Sequence, residues 1–122
     1  MTVARTVTVH TADHGPVTIP EPGWCLGRHP GGEDRVDITH LGAETGLTLD
    51  TARGPVTILC AALEQRPYSP DNTHPFLNID LGHDWYPHTP GALHGLADQL
   101  AEYAGWLRIR AHHLAVIQEA HQ

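Results

Sequence analysis

Cys25, His29 and His40 carry the side chains in this sequence best suited to hold a metal ion. They fall in the stretch WCLGRHPGGEDRVDITH, Trp24 to His40, with His29 four residues after Cys25 and His40 eleven further on. Thiolate and imidazole are zinc ligands, and a structural zinc takes four ligands in a tetrahedron. Asp37, three residues before His40, offers a carboxylate to complete the set. Cys25, His29, Asp37 and His40 are therefore expected to form a closed site. With water in place of Asp37, the same loop would make an open, catalytic one. A soft thiolate beside imidazoles selects zinc over harder ions. The glycines and prolines between the ligands let the chain wrap an ion, and the ion would order a loop that has little else to fix it.

Other chemistry in the sequence is weaker. Cys25, His29 and Asp37 could also be read as nucleophile, base and orienting acid. Such groups normally come from distant segments, and one loop supplies neither an oxyanion hole nor a pocket. Cys60 lies in the apolar run VTILCAAL and reads as core. The cluster GHDWYPH, Gly82 to His88, precedes the C-terminal segment and reads as aromatic packing that seats a helix, with a small-molecule wall as its functional alternative. No two histidines are separated by a single residue, so the H-x-H spacing of cupin-type metalloenzymes is absent. His112 and His113 read as a solvated helix end.

Composition narrows the class. In 122 residues, 40% are hydrophobic and 17% charged, the balance of a globular domain. Fourteen acidic residues against seven basic ones give a net charge of −7. The cations are scattered, with no basic patch to neutralise phosphates, which argues against nucleic-acid binding. All seven are arginine, which together with the Ala, Gly and Pro content points to a high-GC genome. Eleven histidines, if all were protonated, would carry the charge from −7 to +4, so the surface potential should change steeply between about pH 5 and 7. Two cysteines make no disulfide framework. No apolar run spans a membrane, and Met1 to His10 lacks the order of a signal peptide, so a cytoplasmic location is expected.

The elements that must position the candidate ligands can be read from periodicity. Thr2 to His10 alternates Val3, Val7 and Val9 with polar residues, and after the turn Ala12 to Gly15 comes a second strand, Pro16 to Ile19, forming a hairpin. Pro20 to Gly32 is too rich in Pro and Gly for regular structure. Strands are expected at Arg35–Leu41, Gly46–Leu49, Pro55–Ala61 and Phe76–Leu81, with Leu63 to Thr73 irregular. Thr89-Pro90 is a cap followed by proline at the first helical position. From there, Leu93, Leu96, Leu100, Ala104, Leu107, Ala111 and Leu114 recur at three and four residues, predicting one helix from Pro90 to Ala120. At 1.5 Å per residue it would span about 46 Å, against a diameter of about 35 Å for a domain of this length. It should overhang, bend near Gly105, or pack on another chain. Tyr103, Trp106, Ile109, Val116 and Ile117 lie off its main stripe, which favours a homodimer or a protein partner.

The order of these motifs resembles a group of small uncharacterised actinobacterial proteins, common in Streptomyces, with a W-C-x3-H motif, a later D-x-x-H and a C-terminal helix that opens on Thr-Pro. The motif falls on Trp24, Cys25, His29, Asp37 and His40, and the helix start on Thr89 and Pro90. Members carry a further cysteine shortly before the tryptophan, where this sequence has Pro20-Glu21-Pro22. The resemblance implies no activity and favours metal binding, while the departure at Pro20-Glu21-Pro22 weakens the case for a cysteine-rich four-ligand site.

The expected molecule is a single α+β domain over residues 1–122. A largely antiparallel sheet of about five or six strands and the candidate loop occupy 1–88, packed on one long helix over 89–120. Its expected role is a small binding or regulatory module with a structural zinc and a helix-mediated interface. The alternative is a small metal-dependent enzyme with an open Cys/His/His site.

Overall fold

The computed structural model describes residues 5–121. The part of the expected first strand at residues 2–4 lies outside them. Seven strands and one long helix give the α+β class expected, with the strands in two antiparallel sheets. The chain divides into two compact units, Met1–His88 and Thr89–Gln122.

In the first unit, β1 (Arg5–Thr11) and β2 (Gly15–Glu21) form a two-stranded hairpin with Val9 opposite Val17 and Val7 opposite Ile19. Gly15, at φ +62°, lets the chain turn back. Alternation puts Val7, Val9, Val17 and Ile19 on one face, and Ile38 seals it; Val9, Ile19 and Ile38 are buried and form the core. Burying three branched side chains of this size stabilises the unit by about 1.5–3 kcal/mol each.

The second sheet is built on β5 (Gly54–Gln65). Along one edge of β5 run β3 (His40–Leu41) and β4 (Thr45–Thr51); on the other edge lie β6 (Phe76–Asp80) and, beyond it, β7 (Trp85–His88). Two expectations change here. Arg35–Leu41 is not one strand: Arg35–Asp37 is a 3-10 turn closed by Asp37 N–H to Asp34 O and Ile38 N–H to Arg35 O, and only His40–Leu41 pairs. The apolar spacing of Val36 and Ile38 imitates a strand, yet only Ile38 is buried. The segment before the helix is not all loop: Leu81 N–H bonds to Asp84 O, the chain turns, and Trp85–His88 pairs with β6. β5 also runs past Ala61 to Gln65, because β3 and β6 pair with its last residues from both sides.

In the second unit, α1 (Pro90–Ala120) has the predicted bounds. Thr89 is extended, and its hydroxyl accepts from Ala92 N–H at 3.2 Å, satisfying one of the four donors a helix start leaves open. Pro90 fills the position where no N–H is needed. The helix runs on through Gly105 and buries none of its residues. No helix among the described residues is long and apolar enough to cross a membrane.

Candidate metal centre

Residues 22–39 join the two sheets and are tied to both. Gly32 N–H bonds to His10 O at 2.8 Å, Ala12 N–H to Glu33 O at 2.8 Å, and Arg35 N–H to the Asp13 carboxylate at 2.8 Å, stitching the loop to the hairpin. Leu26 N–H bonds to Leu41 O at 2.9 Å on the side of the larger sheet. Gly31 sits at φ +82° with a Cβ position only 3.3 Å from His10 O, so a side chain there would meet both backbone strain and a carbonyl.

This framework brings together Cys25, His29 and His40, and the fourth member is Glu21. One ligand atom from each lies within 4.8 Å of the other three. Cys25 Sγ is 3.7 Å from His29 Nε2; His29 Nε2 is 3.0 Å from Glu21 Oε2; His40 Nδ1 is 2.8 Å from Glu21 Oε1. Around a tetrahedral zinc, with bonds of about 2.0–2.3 Å, neighbouring ligand atoms are about 3.3–3.6 Å apart. The cluster therefore needs only small adjustments to hold one. The side chains of His29, Glu21 and His40 are 3%, 4% and 2% exposed, which leaves no solvent-facing position. Trp24 packs edge-on against the His40 ring, and the His29 and His40 rings are perpendicular at 5.4 Å.

Asp37 lies outside the cluster. It is exposed at the end of the 3-10 turn, whose geometry turns Ile38 inward instead. Glu21 was not anticipated as a ligand, although strand parity points to it: Val17, Ile19 and Glu21 are alternate residues of β2, and the last two are both buried. It stands between two prolines, Pro20 and Pro22.

The electrostatics are those of a site awaiting a cation. Burial pushes the Cys25 thiol above its ordinary value of 9.0, and the Glu21 carboxylate pushes it further. Burial also pulls His40 below 6.5, despite the carboxylate beside it. For Glu21, burial acts upward, but the Cys25 thiol and the His29 and His40 rings outweigh it and hold the carboxyl below 4.5. Gly27 N–H points at Cys25 Sγ at 3.4 Å, a donor suited to a thiolate. His40 Nδ1 is buried, and its contact with Glu21 lacks hydrogen-bond geometry, so it has no partner within the protein. A ring nitrogen left this way costs about 1–3 kcal/mol, which a metal bond would offset. The residues present thus fit a metal ion.

These shifts give the cluster's contribution to the pH response of the metal-free protein. Below about 6.5 the unfolded chain protonates His40 while the folded one resists, so stability falls as pH drops; below about 4.5 the loss of the Glu21 carboxylate adds to it. Above about 9.0 the unfolded chain ionises Cys25 and the folded one does not, so stability falls again. Thermal midpoints measured with chelator present should form a plateau between these limits, and a maximum below pH 6 would contradict the assignment.

A cleft of about 430 Å³ is lined by Leu26, Arg28 and Leu41, each adjacent in sequence to a cluster residue, and by Glu64, Asn78 and Trp85, with none of the four cluster residues in its wall.

No curated protein and no solved structure matches the chain. One family model does, over residues 6–116, which include all four cluster residues and most of the helix. The chain belongs to the family described as the domain of unknown function DUF6907.

Proposed function

We propose that this protein is a small non-catalytic binding or regulatory module, built around a structural zinc held by Glu21, Cys25, His29 and His40, with α1 as its interface to a protein partner. The orphaned His40 Nδ1 carries this reading: a buried ring nitrogen facing a carboxylate, without a hydrogen bond, is what a ligand set looks like around an ion. Four protein ligands, all shielded from solvent, favour a closed site over one that activates water. The ion would fix residues 22–39 against both sheets. A site that depends on a reduced Cys25 fits a reducing compartment, the cytoplasm.

The cleft lined by the sequence neighbours of Cys25, His29 and His40 favours a second reading, a small metal-dependent enzyme in which Glu21 yields its place to water or substrate. Elemental analysis of untagged protein tests the first. One zinc per chain is expected; Glu21→Gln should lose it and Asp37→Asn should keep it. Zinc retained in Glu21→Gln would move the site to three ligands and favour the enzyme. The absence of metal from the wild type, with zinc addition leaving the thermal midpoint unchanged, would end both.

A further inference from the structure

Leu93, Leu100, Leu107 and Leu114 are spaced seven residues apart along α1. On a 3.6-residue helix this draws one slowly drifting ridge, the pattern of a coiled-coil seam. Three residues after each leucine comes the second seam position, held by Leu96, Tyr103, Arg110 and Ile117. The C-terminal part of the ridge is exposed, with Leu100, Leu107 and Leu114 at 44%, 49% and 53%, while Leu93 and Leu96 are partly buried. We propose that α1 pairs with α1 of a second copy of this chain, as an antiparallel two-stranded coiled coil. This rests on the interface role given to the helix above and names its partner.

A ridge with a seven-residue period is filled best by a helix of the same period, and α1 is the only α-helix among the described residues. The seam is also large enough. Five of its seven apolar side chains are exposed and Leu93 and Leu96 are partly buried, and together they would bury on the order of 1,000 Å² in total, near the lower limit of specific interfaces. A weak dimer, dissociating in the micromolar range, is expected.

Charge sets the direction. In a parallel pair each residue meets its own copy across the seam, so two Arg110 side chains would face each other. In an antiparallel pair with its two-fold axis at Gly105, Leu93 meets Ile117, Leu96 meets Leu114, Leu107 meets Tyr103, and Arg110 meets Leu100. The two Arg110 residues then stand about 15 Å apart along the axis.

Sedimentation equilibrium of the full zinc-loaded chain, from about 1 to 200 μM, tests this. The mass should rise to twice that of the chain. Leu107→Glu sets a carboxylate against Tyr103 and should give a monomer. Leu100→Glu sets its carboxylate against Arg110 of the other copy and should remain dimeric, with its dissociation constant raised less than about tenfold. Zinc content and helical ellipticity, unchanged in both variants, separate dissociation from unfolding. A monomeric wild type overturns the second copy as occupant, and leaves the zinc site to be judged by metal content. Two monomeric variants overturn the antiparallel direction; two dimeric variants overturn the helix as the contact.

Discussion

Removing zinc with a strong chelator is expected to lower the thermal midpoint by about 15–30 °C, and re-adding it should restore the loss. At a free zinc concentration about a thousand times the dissociation constant, an ion bound by the folded state alone contributes roughly 4 kcal/mol. In a unit of this size each kcal/mol moves the midpoint by about 4–8 °C. Cys25→Ala should respond to neither chelator nor zinc over the same range, because losing the thiolate weakens binding about a hundredfold or more. Its midpoint should lie near that of the stripped wild type. Scanning fluorimetry after incubation with chelator until the metal content of the protein no longer changes decides the matter: a metal-free wild type with an unchanged midpoint would mean that the four side chains are held by their own contacts.

Ile38→Ala should cost about 2–5 kcal/mol, a large share of what holds a small domain together. Ile38 is 0% exposed and closes the core against Val9 and Ile19. It stands two residues before His40, so a cavity there also frees the backbone that aims the imidazole. Zinc affinity should fall together with stability, although no ligand is touched. The neighbouring Val36, 45% exposed, is the control, and Val36→Ala should stay within about 0.5 kcal/mol. Urea unfolding at fixed free zinc measures both. A loss at Ile38 no greater than that at Val36 would show that the two core strands hold without it.

The elements legible in the sequence were those whose signals are local. Thr89-Pro90 states a helix start, and the spacing of Leu93 to Leu114 states its course; the structure agrees residue for residue. The first hairpin and the strand Phe76–Asp80 follow from alternation within a few residues. The misread elements are those decided by distant partners. Val36 and Ile38 alternate like a strand, but with no neighbour to pair with, Arg35–Asp37 tightens into a turn. Trp85–His88 looks like a loop with aromatic residues until β6 is placed beside it. The candidate centre was legible in the same measure. Cys25, His29 and His40 share one loop and one motif. Glu21 lies two residues past the expected end of its strand at Ile19, and only the extension of β2 to Glu21, paired with Arg5, carries the inward alternation onto the carboxylate.

The hydrogen bonds that tie residues 22–39 to both sheets bear on time as well as geometry. With the ligand side chains almost wholly shielded, an ion held by them would meet chelator or water only when the bonds of Leu26 to Leu41 and of Gly32 to His10 open. Its residence time would then be set by how often this segment opens, a local fluctuation whose free energy lies between zero and that of global unfolding. Metal exchange would become a clock for loop opening, slow even where equilibrium affinity is modest.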